Sequence, residues 1–365
     1  MWNYIEQIAA APVAGLFSPN EPFSLFSLLG AALTALIWYV SRRRGTRGRR
    51  LRAFVRIALS RRLWGHRSTR LDLKLFFVSN FVNAAGILSV FAISYGASAA
   101  TQWLLGQAVA PAPPAALASV TIALVMAVFY WVMYDLGYWF AHWLMHRIPV
   151  LWEFHKVHHS AEVLTPLTEW RQHPVELFLF PFCTGTTIGV LYGIAEHLLG
   201  LQRQGLSLFW INMLLLGYSM TLLHLRHSHV WIPVRGWLGY VIQSPAHHQI
   251  HHSTDPRHFN KNLGYGLSLW DWAFRTLYIP ERREVLEFGL GAESREHDGV
   301  LSVLWLPFVK SARLMRQEWQ HGEIEVEAAE TPPAVRAGLS GAIAPRADLQ
   351  RRTADRSAAA ARAGS

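Results

Sequence analysis

Residues 123–146, ALVMAVFYWVMYDLGYWFAHWLMH, decide the fold of this chain. The segment is a long apolar run with a single acid, Asp135, and it is long enough to cross a hydrocarbon core of roughly 30 Å as a helix. Its two histidines, His142 and His146, are four residues apart, so both imidazoles project from one helix face. The segment therefore predicts a membrane-spanning helix that ends in a pair of possible metal ligands.

The rest of the chain extends this pattern. Of its 365 residues, 52% are apolar and only 16% are charged, which is unusual for a soluble domain. The apolar residues fall in blocks about as long as a membrane span. The fold class expected is an all-α polytopic membrane protein with about four to five transmembrane helices. The five blocks are residues 25–40, 75–105, 116–140, 177–199 and 206–223.

The charges predict the orientation of these helices. Residues 41–74 hold 13 Arg or Lys against one acid, Asp72, and the positive-inside rule places such a loop in the cytoplasm. Because the arginines adjoin apolar spans, they favour anionic headgroups over nucleic acid as the partner. Counting crossings brings all the histidine clusters to the cytoplasmic face. The Ala- and Arg-rich composition suggests a bacterial source, so the inner membrane is expected.

Three regions follow from these patterns. Residues 1–74 form an N-terminal span and the Arg-rich loop, residues 75–322 the membrane stem and histidine-rich domain, and residues 323–365 a tail whose composition predicts disorder. The N-terminus lacks a basic start and a long apolar core, so no cleavable signal peptide is expected. The single cysteine, Cys183, excludes a disulfide framework within the chain.

The histidines predict metal chemistry. Fifteen of the 18 lie between His142 and His258. Two clusters, HKVHH at residues 155–159 and HQIHH at residues 248–252, place histidines at i, i+3 and i+4 of a helical turn. Neutral imidazole suits Fe, Zn, Cu and Ni, whereas Mg and Ca prefer oxygen. With the 142/146 pair there are too many histidines for one ion, so two metals are expected. The zinc-protease signature H-E-x-x-H is absent, because Trp143 occupies the glutamate position.

These residues together carry a family resemblance. The runs YDLGYWFAHWLMHRIPVLWEFHKVHHSAE, RQHPVE, RHSHV and SPAHHQIHHSTDPRHFNKNLGYGLSLWDWAFRTLYIP resemble the fatty acid hydroxylase / sterol desaturase superfamily of membrane non-haem di-iron oxygenases. The resemblance covers roughly residues 116–280. It implies a cytosolic helical cap that holds a di-metal centre, with two iron ions (Fe2+/Fe3+) and dioxygen as co-substrate. The metal ligands that it implies are His142, His146, His155, His158, His159, His227, His248, His251 and His252.

The chain departs from the family pattern at three positions. Trp143 replaces a common arginine, Arg275 replaces the glycine of the Trp-Asp-x-x-Phe-Gly-Thr run, and His229 stands where asparagine is frequent. None of them is a ligand implied by the resemblance. The segment HHQIHH, residues 247–252, is interpreted as one half of the di-metal site.

Other polar residues are candidates for supporting roles around the metals. Asp135 lies two helical turns before His142 and is expected to accept a hydrogen bond from a ligating imidazole, with a role in helix packing as the alternative. His224 and His247 are each a possible tenth ligand or a hydrogen-bonded neighbour. The complete set expected to support the ligands or the cap is Asp135, His173, His229, His247 and Asp271.

The function expected is hydroxylation of a C–H bond in a lipid acyl chain, sterol or related molecule. A desaturase with the same centre is the alternative, and a zinc-dependent membrane hydrolase or a metal transporter is more distant. No haem, flavin or dinucleotide motif is found, so a separate electron donor such as a ferredoxin or cytochrome is expected. The oligomeric state stays open.

Overall fold

A computed structural model describes residues 10, 13–17, 24–42, 46–84, 90–113, 120–200 and 213–330. Every long element in this part of the chain is a helix, and the described residues form no strand. The helices are α1 (Leu25–Arg42), α2 (Arg47–Ala58), α3 (Arg61–Trp64), α4 (Arg67–Ala84), α5 (Val90–Gly106), α6 (Val120–Arg147), α7 (Pro149–His159), α8 (Pro174–Leu199), α9 (His224–Arg226), α10 (Pro245–His251), α11 (Leu269–Ala273) and α12 (Val300–Glu330).

Three of these helices are long and apolar enough to cross a membrane. They are α1, the Leu124–Arg147 part of α6, and α8. They coincide with the first, third and fourth apolar blocks of the sequence. The all-helical fold with membrane-spanning helices is therefore confirmed, with three candidate spans among the described residues.

The second block, residues 75–105, is described only in part. It covers the second half of α4 and nearly all of α5, and residues 85–89 between them lie outside the described part. The first half of α4 is polar because it packs in the cap, where the buried Asp72 accepts a hydrogen bond of 2.8 Å from the buried Arg171. Of the fifth block, residues 206–212 are not described, and the chain is helical at 213–218 before a π-helical turn at Ser219–Leu223.

Close helix packing sets the position of α8. A Cβ on Gly193 would lie 2.8 Å from the carbonyl oxygen of Ser98 in α5, and one on Gly137 of α6 would lie 2.5 Å from Thr184 Cα. Small residues allow such close backbone contact between membrane helices. The packing against α6 brings the histidine-bearing end of α6 next to the start of α8.

The cap surrounds this end of the helices. It contains α7, the 3₁₀ turn Pro166–Trp170 and the segment from α9 to the start of α12. Buried ion pairs connect its parts, since Arg171 binds Asp72 and Arg226 binds both oxygens of Glu169 at 2.9 and 3.0 Å. Charges buried this way cost free energy unless they are paired, so these contacts hold specific segments together.

The chain divides into two compact units, Met1–Ser311 and Ala312–Ser365. The second contains the end of α12, which continues to Glu330 and so extends into the segment expected to be a disordered tail. The run EIEVEAAE at residues 323–330 is rich in the helix formers Glu and Ala, and the mostly disordered tail stays a prediction. The remainder of the predicted tail, residues 331–365, lies outside the described residues.

Candidate metal centre

Nine histidines converge in two neighbouring groups in the cap. Within each group the side chains can offer nitrogens that all lie within 4.8 Å of one another. These are the nine residues named as ligands from the sequence. The five-histidine group is His142, His146, His155, His159 and His251, and the four-histidine group is His158, His227, His248 and His252.

The helical spacing decides which group each histidine joins. Positions i and i+4 of an α-helix lie about 40° apart around the axis, whereas i+3 lies about 60° to the other side. In α7, His155 and His159 join the five-histidine group and His158 the other. In α10 the assignment is reversed: His248 and the following His252 point to the four-histidine group and His251 to the five-histidine group. The interpretation of HHQIHH as one half-site is therefore wrong, since this segment contributes to both groups.

Oxygen acceptors orient the imidazoles of the five-histidine group. His142 Nδ1 lies 2.7 Å from the carbonyl oxygen of Leu263, and His251 Nδ1 lies 2.9 Å from that of Lys261. When Nδ1 donates to such an oxygen, Nε2 is left unprotonated and can bind a metal. The Nε2 atoms of His146, His159 and His251 are buried and have no hydrogen-bond partner among the described residues.

The four-histidine group is the more compact of the two. His227 Nε2 lies 3.2 Å from His158 Nε2, 3.0 Å from His252 Nε2 and 2.9 Å from His248 Nε2. Neutral imidazoles have one N–H each, so four converging nitrogens cannot all be satisfied by one another. Nitrogens at metal-bond length in a tetrahedral site would be about 3.4 Å apart, close to the distances here. The residues therefore fit a bound transition-metal ion.

Burial keeps these imidazoles in the form that binds metals. It lowers the pKa of His251 to about 3, and it lowers the pKa of His248 and His252 well below the ordinary value, with further lowering from neighbouring histidines. A neutral imidazole is the ligand, whereas an imidazolium is not. These histidines can therefore bind a cation without first losing a proton.

Two carboxylates that the sequence reasoning missed hold one ligand in each group. Glu176 Oε2 lies 2.7 Å from His155 Nδ1, and Glu169 Oε2 lies 3.0 Å from His227 Nδ1. Burial opposes ionisation of Glu169, but Arg226 and His227 overcome it and lower its pKa below the ordinary value. A signal for Glu176 was present in RQHPVE, because a residue three positions after a helix N-cap often closes a capping box.

His173 supports Glu176 from that N-cap position. Its backbone N–H donates to Glu176 Oε1 at 2.9 Å, while Glu176 Oε2 faces His155. The side chain of His173 accepts from the N–H of Val175 at 3.0 Å. His173 thus acts on the metal centre through Glu176 and has no direct contact with it in the structure.

The two predicted aspartates hold turns of the cap. Asp271 accepts from the N–H groups of Leu263 and Gly264 at 2.8 and 2.9 Å, and the carbonyl of Leu263 faces His142. The cap-stabilising role expected of Asp271 agrees with these contacts.

Asp135 does not accept a hydrogen bond from a ligating imidazole, so that expectation is wrong for the described residues. Its Oδ1 accepts from the backbone N–H groups of Gly266 and Leu267 at 2.6 and 3.0 Å. These N–H groups of the cap reach the carboxylate of Asp135 on α6, where an imidazole donor was expected. Asp135 therefore fastens the cap to α6.

His229, His247 and His224 belong to neither histidine group. His247 Nδ1 and Ser244 form the capping box of α10, and its carbonyl accepts from Asn262 at 3.0 Å. His224 Nε2 lies 3.0 Å from Ser27 Oγ in α1, and His229 is exposed. A tenth ligand at position 224 or 247 therefore has no support in the geometry, because these rings are held in other hydrogen bonds.

An inner cavity of about 220 Å³ lies against this centre. Its wall includes Glu169 and Glu176, which contact one ligand of each group, together with Tyr138 and Phe180. Tyr138 and Phe180 also pack on His142, with ring centroids 5.7 and 5.9 Å away. The inner cavity thus offers a space with aromatic side chains in its wall beside both halves of the centre.

Comparisons with known proteins show what this part of the chain is similar to. The model of the family "Fatty acid hydroxylase" matches residues 127–276. The alkylglycerol monooxygenase of Xenopus tropicalis is 28% identical over 163 residues, 43% of this chain and 31% of that protein. The alkylglycerol monooxygenase of Homo sapiens is 26% identical over 151 residues, 41% of this chain and 30% of that protein.

A bacterial relative matches a larger share of the chain. The ornithine lipid hydroxylase of Rhizobium tropici is 29% identical over 183 residues, 50% of this chain and 50% of that protein. The match therefore spans less than a third of the length of the two alkylglycerol monooxygenases and half of the ornithine lipid hydroxylase. No solved structure matches this chain.

Proposed function

We propose, from the premise that the chain contains a domain of the fatty acid hydroxylase family at residues 127–276, that it is a membrane-bound di-iron oxygenase which hydroxylates a C–H bond of a membrane lipid. The observation that carries the proposal is the pair of histidine groups in the cap at the end of the apolar helix α6, with nine imidazoles that could hold two ions. All-nitrogen sites of this kind suit iron and exclude Mg and Ca.

The reaction needs one oxygen molecule and two electrons for each product. One oxygen atom enters the C–H bond to give an alcohol, and the other leaves as water with two protons. The two histidine groups would hold the iron ions, which when bound would supply the redox chemistry for dioxygen activation. The chain contributes imidazoles fixed by Glu169, Glu176 and the cap turn, and an aromatic wall at Tyr138 and Phe180 that excludes water.

The electrons come from a separate protein such as a ferredoxin or cytochrome. The matched relatives include alkylglycerol monooxygenases and an ornithine lipid hydroxylase, so a lipid with long alkyl or acyl chains is the substrate class that we propose. The Arg-rich segment 41–74 supports a cytoplasmic position for the histidine groups under the positive-inside rule, and the membrane that we propose is the bacterial inner membrane.

The experiment compares lipid extracts from cells that express the wild type, His251→Ala or His66→Asn. His251 belongs to the five-histidine group, whereas the partly exposed His66 belongs to neither group, and Asn retains an acceptor for the N–H of Ser68. The expected product gains one oxygen atom in the wild type and in His66→Asn, and it is missing in His251→Ala.

Other outcomes contradict the proposal in defined ways. A product that loses two hydrogens instead identifies a desaturase. Purified protein that hydrolyses a lipid when loaded with zinc, and that is inactive when loaded with iron, would identify a hydrolase. If the lipids of the wild-type extract do not differ from those of the His251→Ala extract, the proposal is wrong altogether.

A further inference from the structure

A second, larger cavity of about 870 Å³ lies between α1, α2 and the segment that follows α9. We call it the α1–α2 cavity. Its volume is in the range of sites that bury a small-molecule ligand. The function of the histidine centre does not by itself explain it.

The walls of the α1–α2 cavity are apolar along most of its length. Small side chains of α1, among them Ala32 and Ala35, leave the space open, and Phe54 and Ile57 of α2 line it from another side. The lining residues of α1 run from Leu28 to Arg42, about 21 Å along the helix axis. This shape suits a long hydrocarbon chain.

Three arginines line the same cavity. Arg42, Arg235 and Arg283 are all exposed, and no Asp or Glu is among its described lining residues. The guanidinium of Arg42 stacks on Trp38 with 4.3 Å to the ring centroid, which limits its freedom. Arginine matches the geometry of phosphate oxygens better than lysine does. The cavity thus combines apolar walls with uncompensated positive charge.

The α1–α2 cavity reaches the surroundings of the metal centre. His224, Leu225 and Ser228, which flank the metal-group residue His227, belong to its lining. His224 also lines the inner cavity beside Glu169 and Glu176. A chain in the α1–α2 cavity therefore ends close to the histidine groups.

Helix α2 has the composition of a helix that lies in the membrane interface. It carries the exposed Arg49, Arg52 and Arg56 without a single acid, and it also exposes Leu51 and Val55. Basic and apolar side chains on one short helix favour binding in an anionic headgroup layer. The α1–α2 cavity would then open among phospholipid headgroups.

We infer that the α1–α2 cavity binds an anionic glycerophospholipid, with its phosphate on Arg42, Arg235 and Arg283 and a hydrocarbon chain directed along α1 toward His224. The inference rests on the proposed function, because this bound lipid is the substrate of the histidine centre. It narrows the substrate class from membrane lipids in general to lipids with a phosphate headgroup.

The test measures binding of a phospholipid to the full chain in neutral detergent micelles. Tryptophans 38, 64 and 231 line the cavity, so dioleoylphosphatidylglycerol with brominated chains quenches their fluorescence when it binds. The triple variant Arg42→Gln, Arg235→Gln, Arg283→Gln is expected to weaken this binding at least about tenfold, equal to about 1.4 kcal/mol. Affinity for dioleoylglycerol with the same brominated chains, which lacks the phosphate, should change less than about threefold.

The matched control removes the same charge from the neighbouring surface. The triple variant Arg49→Gln, Arg52→Gln, Arg56→Gln lies on α2 outside the lining, and it is expected to keep the phosphatidylglycerol affinity within about threefold. Equal weakening in both triple variants would show that only general surface attraction operates, and it would overturn the inference.

A second pair of variants tests the place of the hydrocarbon chain. Ala32→Phe fills the cavity, whereas Leu33→Phe changes the next residue of α1, which is 56% exposed and outside the lining. Only Ala32→Phe should lower the binding. If neither variant does so, the chain lies elsewhere and the inference is wrong.

The two proposals fail separately. His251→Ala is expected to lose the product while it binds phosphatidylglycerol like the wild type. Lipid binding that needs the three arginines, together with no oxygenated product, would contradict the proposed function alone. If an oxygenated product forms, but neither its formation nor phosphatidylglycerol binding depends on the three arginines, only this inference is contradicted.

Discussion

The five-histidine and four-histidine groups both hold several imidazoles close together, but different residues orient the rings in each group. In the five-histidine group, oxygens from the turn around Leu263 and from Glu176 face the outer nitrogens of the rings. In the four-histidine group, four Nε2 atoms crowd together, and the main support is Glu169, itself paired with the buried Arg226. One half thus depends on backbone geometry and the other on a buried ion pair.

The difference shows where each half is vulnerable. Backbone acceptors are fixed by the fold and tolerate side-chain changes nearby. A buried ion pair leaves an uncompensated charge when one partner is lost. We therefore expect the four-histidine group to respond more strongly to single substitutions.

Removal of one ligand from each group gives the largest effect. His248→Ala leaves three histidines in its group, whereas His159→Ala leaves four in the other. We expect both to lower hydroxylation at least about 100-fold, since metal-ligand positioning supports all of the chemistry. Iron analysis of the purified proteins should show a greater loss of iron in His248→Ala, and equal losses would contradict the contrast between the groups.

The carboxylates that hold the ligands test the two supports directly. Glu169→Gln and Glu176→Gln should each lower metal affinity or activity about 10- to 100-fold, as is usual for outer partners of a ligating histidine. Only Glu169→Gln also leaves Arg226 buried without its charge partner, at a cost of about 3 kcal/mol of the free energy of unfolding.

Thermal denaturation in detergent checks this second effect. The melting temperature should fall clearly in Glu169→Gln and less in Glu176→Gln. A larger drop in Glu176→Gln would mean that the ion pair with Arg226 contributes little to stability.

The smallest expected effect concerns the cap turn that serves the five-histidine group. Arg275 follows α11 with a φ of 62°, in the left-handed region that glycine adopts without strain. Arg275→Gly should raise the free energy of unfolding by about 0.5–1 kcal/mol, because it relieves this strain. Its iron content should match that of the wild type, and a lower melting temperature would show that the arginine side chain contributes more than its backbone costs.

Much of the site could be predicted from the sequence. The histidine spacings indicated eight of the nine side chains that the structure brings together in two groups, because helical periodicity is a local property, and the family resemblance implied the ninth, His227. Glu169 was missed since nothing in the local sequence connects it to His227, 58 positions later. Asp135 was assigned the wrong partner, because the donors of Gly266 and Leu267 come from a distant part of the chain.

The membrane part shows the same limit. Apolar length predicted α1, α6 and α8, but it did not indicate that α4 begins at Arg67, ahead of the second apolar block. The polar start of α4 can be buried because its Asp72 pairs with Arg171, a partner about one hundred residues away. Hydropathy along the chain cannot detect such a pairing.

By itself the sequence determined that this is a helical membrane protein with clusters of histidines suited to metal binding, since apolar length and residue type act locally. Only the tertiary structure decided how these histidines divide into groups of five and four. That division depends on the rotation of α7 and α10 about their axes, which side-chain packing between distant segments sets. The same packing supplies Glu169 and Glu176, and it forms the cavity beside α1 in which we propose that the lipid binds.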